Sequence, residues 1–266
     1  MKLKKIITGL LLTAALFGLA ACAKQKKAAE PVLNKTQVIK IAKKDFKSGQ
    51  VKQVISFGTD TTKQIITSSA AFGGNPTVFH INYQTQSKGQ TQTSEEWIDT
   101  NNIYFNGQSS WYKAGLETLT GHNYAQMIDA IMDNKMLADP PTALTKAYKM
   151  KRSRNTYTLT ATIKDHGIMK QAIDPIFTTN NQSAKQEQSY RSIQKYGKYQ
   201  DMPVKLVVKN GKLFSFTYTV NMSIDKTMTM SVSQTYNNFG SHDFLKVPNN
   251  ALAAKPLPKS NNQNKK

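Results

Sequence analysis

The 266-residue chain has a single cysteine, Cys22. One thiol excludes a disulfide framework and a thiolate metal site. Arginine is nearly as scarce: only Arg152, Arg154 and Arg191 stand among 36 basic residues, which face 16 acidic ones. Nucleic-acid recognition favours the planar guanidinium fork, whereas lysine is a hydrated point charge. No nucleic-acid partner is therefore expected. The four histidines (His80, His122, His166, His242) are scattered, with no His-Glu-x-x-His pair and no metal-ligand spacing. Ser109 and Ser110 do not fit a Gly-x-Ser-x-Gly elbow, and no Gly-x-x-x-x-Gly-Lys-Ser/Thr loop is present. Glu95, Glu96 and Asp99 cluster around Trp97, but on a strand Glu96 points away from the other two. They do not read as the carboxylate pair of a glycosidase. No enzyme activity and no cofactor are expected. After residue 21 no apolar run is long enough to span a membrane.

What is present begins with Lys2, Lys4 and Lys5, an uncharged apolar run over residues 6–19, and then Leu19-Ala20-Ala21-Cys22. This is the three-part plan of a secretory signal, and the Cys at its end resembles a bacterial lipobox. The resemblance implies cleavage between Ala21 and Cys22, acylation of the Cys22 sulfur, and an extracytoplasmic protein held at the outer leaflet of the cell membrane. The alternative is an uncleaved anchor, but the run is shorter than the ~20 residues a spanning helix needs. Residues 1–21 carry three lysines and no acid, so the chain from Cys22 onward has a net charge of +17. A lysine-dominated surface outside the cell meets anionic lipid head groups or anionic wall polymer, or serves solubility alone.

Residues 22–32 read as an acylated Cys with a short polar tether. Residues 249–266 are Asn-, Lys- and Pro-rich and are expected to be disordered. Residues 33–248 are expected to form one domain, and the protein to be monomeric. Within it, Val38, Ile41, Ala42 and Phe46 recur at helical spacing over residues 35–47. Strands are expected at 51–57, 77–85, 95–100 and 103–105. A second helix is expected over 123–137, where Tyr124, Met127, Ile128, Ile131 and Met132 form a stripe. Residues 157–163 alternate as a half-buried strand, and helices follow over 168–177 and 184–196. Asn210-Gly211 marks a hairpin between Val204-Lys205-Leu206-Val207-Val208 and a long strand. That strand alternates Phe214, Phe216, Tyr218, Val220, Met222 and Ile224 against small polar residues. Met228, Met230 and Val232 repeat the pattern. The result is an antiparallel sheet with one apolar and one wet face.

This closing hairpin, the second Thr/Ser-rich strand and the ending Asn237-Asn238-Phe239-Gly240…Val247-Pro248 resemble LolA-like and LppX-like lipoprotein domains, as found in surface lipoproteins of Gram-positive bacteria. The resemblance implies an α+β fold: a strongly curved antiparallel sheet, an unclosed barrel, with helices packed on its concave face. It further implies a lipid or acylated ligand held between sheet and helices. The wall would comprise Phe214, Phe216, Tyr218, Val220, Met222, Met228, Met230 and Val232, with Met127, Ile128 and Ile131 on a covering helix. Ordinary core packing is the competing reading of the same pattern. Methionine is equally at home as an adaptable ligand lining and as core filler. A lipid-free envelope module that binds anionic wall polymer through its lysines is the alternative function. Replacing the lone thiol tests the anchor directly: Cys22→Ser is expected to abolish incorporation of labelled palmitate and to release the protein from the membrane fraction.

Overall fold

The computed structural model describes residues 32–258, apart from 45–46, 60, 108–109, 133, 180–183 and 224–227. The signal, Cys22 and the end of the tail lie outside the described residues. Residues 34–266 group as one unit.

The chain enters through α1 (Lys35–Lys44) and runs into a meander of β1 (Gly49–Gly58), β2 (Lys63–Gly73), β3 (Val78–Ser87), β4 (Gln90–Ile98), β5 (Asn102–Asn106) and β6 (Trp111–Gly115). A helical stretch follows: α2 (Leu116–Thr120), α3 (Tyr124–Ile131) and α4 (Thr142–Ala147). Then come β7 (Lys149–Ser153), β8 (Thr156–Ile163), α5 (His166–Thr179) and α6 (Ala184–Tyr196). The last part holds β9 (Lys198–Tyr199), β10 (Met202–Lys209), β11 (Lys212–Ser223), β12 (Thr229–Asn237), α7 (Asn249–Leu252) and β13 (Lys255–Pro256). All thirteen strands belong to one sheet in the order β13-β6-β5-β4-β3-β2-β1-β12-β11-β10-β8-β7, with β9 on β11. Every pairing is antiparallel except β13 on β6. The two ends of the sheet do not pair, so the fold is a curved, open barrel of the α+β class.

The register explains which side the helices cover. Tyr157, Leu159, Ala161 and Ile163 of β8, Val204, Leu206 and Val208 of β10, and Val220, Met222, Met230, Val232 and Tyr236 of β11 and β12 are all buried. They lie on one side of the pleat because strand side chains alternate. The hairpin turn is as the sequence dictates: Asn210 and Gly211 adopt φ of 52° and 71°, the left-handed pair that a tight two-residue turn needs. α3 opens with a reciprocal cap in which the Gln126 amide nitrogen donates to the Asn123 side chain and the Asn123 amide nitrogen donates to Gln126 Oε1.

Four expectations are corrected. First, Phe214 is not on the wall. It is 56% exposed, with Lys209 Nζ 5.5 Å from its ring centre. Val207 pairs with Ser215 while Val208 pairs with Leu213, so Phe214 is the extra residue of a β-bulge. The slip turns it outward and puts Leu213 inward. Second, residues 249–258 are ordered. Ala251 and Ala254 are buried with Val78, Trp97, Tyr104 and Val247 in a small core on the outer face of the sheet, with Trp111 and Leu245 at its edge. Small alanines allow the segment to lie flat on those aromatics, and β13 fixes it. Third, the second helix stops at Ile131 rather than 137, because Asn134 Oδ1 takes the Met136 amide nitrogen at 3.0 Å. Fourth, β2 intervenes between the first two expected strands; its helix-side positions mix Gln64, Ile66, Ser68, Ala70 and Phe72, which hides the alternation.

The bulge yields a sharp contrast. Phe216→Ala is expected to lower unfolding stability by about 3–5 kcal/mol, whereas Phe214→Ala should change it by within about 0.5 kcal/mol. Urea titration followed by circular dichroism measures both.

Candidate functional site

The sheet-to-helix layer is built around one polar row. Successive register pairs place Tyr218 beside Gln234, Gln234 beside Gln53, Gln53 beside Ser68, and Ser68 beside Tyr83. This row crosses β11, β12, β1, β2 and β3 on the helix side. It is flanked by apolar rows: Phe216, Tyr236, Val51, Ala70 and Ile81 on one side, Val220, Val232, Ile55 and Ile66 on the other.

The helices fasten to one end of that row. Asn134, 1% exposed, brings Nδ2 within 3.0 Å of Gln234 Oε1, 3.2 Å of the Tyr236 hydroxyl and 3.3 Å of the Tyr218 hydroxyl. The Tyr218 hydroxyl also donates to the Ala172 carbonyl of α5 at 2.8 Å and contacts Gln234 Oε1. The Tyr236 hydroxyl donates to the Ile131 carbonyl at the end of α3 at 3.1 Å. A buried polar group without a partner costs about 1–3 kcal/mol, so this set holds α3 and α5 at one fixed place on the sheet.

The expected wall residues fall into three groups. Phe216, Tyr218, Val220, Met222, Met230, Val232, Met127 and Ile131 are brought together and buried between sheet and helices. Ile128 is half-buried on α3. Met228 is half-buried and stands apart, lining a 440 Å³ depression at the hairpin tips with Phe57, Thr59, Thr62 and Lys88. A second depression of 390 Å³ runs over the seam of α3 and α5, between Gln126, Asp129, Ala130 and Lys135 on one bank and Gln171, Asp174 and Pro175 on the other. Sequence reasoning treated Tyr218 as apolar wall and passed over Asn134, Gln234 and Tyr236. The one available signal was the Gln that interrupts the alternation of β12.

The other candidates are structural. Asp99 Oδ1 accepts from the amide nitrogens of Asn101 and Asn102, and its Oδ2 accepts from the Tyr104 hydroxyl at 2.8 Å. It shapes the β4–β5 turn. His80 stacks on Trp97 with ring centres 4.1 Å apart and bonds Glu95 at 2.9 Å. Among the described residues no group of three or more His, Cys, Asp or Glu could hold a metal ion, and no helix is long and apolar enough to cross a membrane.

Burial pushes the Tyr218 phenol well above its ordinary value, opposed by the Asn134 hydrogen bond. Burial does the same to Tyr236, reinforced by the Tyr218 charge and opposed by Asn134. In the unfolded chain both titrate near pH ~10. Above that pH the folded state holds more protons, so its advantage is complete below pH ~10 and is lost as pH rises towards the folded values. Each buried phenol removes up to about 1.4 kcal/mol per pH unit in that window. Urea midpoints should be flat between pH 7 and 9 with respect to these groups and fall steeply from pH 10 to 11. In the Tyr218→Phe/Tyr236→Phe protein that fall should be shallower.

Three solved structures are similar to the chain over most of its length. LprF from Mycobacterium bovis matches with 14% identity and a TM-score of 0.43, over 82% of this chain and 97% of that one. The LolA superfamily protein NE2245 from Nitrosomonas europaea matches with 10% identity and a TM-score of 0.25, over 82% and 96%. A putative outer membrane lipoprotein-sorting protein domain from Vibrio parahaemolyticus matches with 7% identity and a TM-score of 0.22, over 78% and 91%. At those scores the likenesses carry no argument about ligand or role. No curated protein matches the sequence. A family model does match, over residues 28–256, and spans nearly the whole sheet and its helical cover. The chain therefore belongs to DUF6612, a family of unknown function.

Proposed function

We propose that the protein is exported, acylated at Cys22 and held at the outer leaflet of the membrane, where its body binds a hydrophobic or acylated molecule between sheet and helices without chemistry. One observation carries the reading. The helix-side faces of β11 and β12 bury Val220, Met222, Met230 and Val232, and α3 buries Met127 and Ile131, so flexible and aliphatic side chains dominate the layer between sheet and helices. The polar ties of α3 and α5 include the set at Asn134, Tyr218 and Tyr236 and the Tyr124 hydroxyl of α3, which donates to the Thr77 carbonyl at 2.7 Å. Between such ties the layer is Met and aliphatic, and contacts of that kind yield to a ligand chain. Each methylene of a ligand that replaces those contacts contributes ~0.8 kcal/mol, so one long acyl chain suffices for useful affinity. The resemblance of the closing hairpin and long strand to LolA-like domains supports the same reading.

A second reading rests on a different face. Register pairs align Lys149, Thr160, Lys205, Thr217, Thr235 and Lys52 in one row across the outer side of β7, β8, β10, β11, β12 and β1. All three lysines are exposed. Such a row of cations and hydroxyls suits an anionic wall polymer, whose attraction salt screens over ~10 Å at 0.1 M.

Native mass spectrometry of the body, residues 23–266, purified from a bacterial host separates the two. Carriage predicts co-purified lipid, or uptake of an added long-chain amphiphile with one-to-one stoichiometry. The polymer reading predicts a bare mass and binding to purified wall that disappears by 0.5 M salt.

A further inference from the structure

Charge is spread unevenly over the sheet. None of the 16 acidic residues lies in β3, β2, β1, β12, β11, β10, β8 or β7, which are neighbours in that order. Cations converge at one rim of this acid-free stretch. Lys209 pairs with Thr156 of β8 and with Lys212 of β11, so the β7–β8 and β10–β11 hairpin tips stand side by side. The Asn210 amide nitrogen donates to the Asn155 carbonyl across them at 2.9 Å. A 570 Å³ depression there is lined by Ser153, Arg154, Asn155, Thr156, Lys209 and Asn210. Two of the three arginines, Arg152 and Arg154, stand on these tips. Arg152 Nε donates to the Arg154 carbonyl at 2.8 Å, and its guanidinium lies 5.5 Å from the Tyr157 ring centre; both contacts orient it without cancelling its charge. Arg152, Arg154, Lys209 and Lys212 are exposed, and among the described residues none of them forms an ion pair.

Apolar side chains share the rim. The bulge turns Phe214 outward beside Lys209 and leaves it 56% exposed. β11 starts where β12 ends: Ser215 pairs with Asn237, Asn237 with Gln50 of β1, and Gln50 with Ala71 near the end of β2. The loop after β12 crosses that end of β2, with the His242 carbonyl against Gly73 and the Leu245 carbonyl against Gly74. It presents Phe244, 91% exposed, and then the exposed Lys246. These are the two exposed phenylalanines among the described residues. The one described acid in these loops is Asp243, which accepts from the Ser48 hydroxyl. Lysines that guard a free sheet edge account for β7. They do not account for two phenylalanines held in water on the same rim.

We propose that this rim, from the paired hairpin tips to the loop that carries Phe244, is a docking surface for an anionic phospholipid bilayer. Arg154 and Lys209 take a lipid phosphate at the depression, where a guanidinium fork pairs with two phosphate oxygens. Phe214 and Phe244 enter the boundary between head groups and acyl chains. A soluble polyanion uses the cations and leaves the phenylalanines idle. A neutral bilayer uses the phenylalanines and leaves the cations idle. The inference takes its setting from the anchored reading and is independent of whether the interior carries a ligand. Each cation near an anionic surface contributes about fivefold to binding, and each phenylalanine about tenfold.

The test uses the unacylated body, residues 23–266, so that the anchor plays no part. Its partners are vesicles of phosphatidylcholine alone or with about a third phosphatidylglycerol. The protein is expected to sediment with the anionic vesicles and not with the neutral ones, and to be released by about 0.5 M salt. Arg154→Gln/Lys209→Gln should weaken binding about twenty-fivefold, and Phe214→Ala/Phe244→Ala about tenfold or more. Lys52→Gln/Lys205→Gln removes the same charge from the flat of the outer face and should change binding less than about threefold. Urea midpoints of all three pairs show that folding is kept. In Phe214→Trp the emission should move to the blue on anionic vesicles and stay unchanged with soluble polyglycerol phosphate. No binding to anionic vesicles overturns the proposal. So does binding that falls equally in both charge variants while the phenylalanine pair is silent, which would make the face a general polyanion surface. Either result leaves the Cys22 anchor and the interior ligand to their own tests.

Discussion

Everything in this fold depends on how the inner face of the sheet is closed. An open sheet of thirteen strands exposes a broad apolar wall that must be covered. The cover here is held in register by a small buried polar set, in which Asn134 meets Tyr218, Gln234 and Tyr236 and the two phenols reach back to the main chain of α5 and α3. Methionine and aliphatic contacts are tolerant of displacement. Buried hydrogen bonds are not, because each partner left alone costs its desolvation. The polar set therefore fixes where the helices sit, and the apolar contacts set how strongly they adhere.

The apolar part of the inner face is closed at both sides of the sheet. Towards β10 and β11 the face is sealed: Phe216, Val220 and Val232 are 0% exposed. Towards β2 and β3 Phe72 and Phe79 are likewise 0% exposed, and Tyr124 of α3 packs edge-on against Phe79, while Ile66 and Tyr83 on the same side are half-buried.

Much of this was legible in the residues. The alternation of β8, β11 and β12 named the buried face, and Asn210-Gly211 named the hairpin, because both signals are local. The α5 and α6 helices were also legible from spacing. Three things were not. The bulge at Phe214 arises from pairing with β10, and no single strand carries a sign of the partner's register. The ordering of residues 249–258 depends on Trp97 and Tyr104, which lie far away in sequence, so a composition of Asn, Lys and Ala looked like a tail. The polar row needs five strands placed side by side. Gln53, Ser68, Tyr83, Tyr218 and Gln234 are unremarkable singly, and only the sheet order assembles them. The site was thus half visible: its apolar flanks came from periodicity, its polar centre from topology.

The most direct measurement is a double-mutant cycle across the joint between layers, using Asn134→Ala, Tyr236→Phe and the pair, with stabilities from urea unfolding. If the polar set locks the cover to the sheet, the two changes interact, with a coupling energy of about 1 kcal/mol or more. Additivity within about 0.3 kcal/mol would show that Asn134 and Tyr236 act independently and would contradict the account.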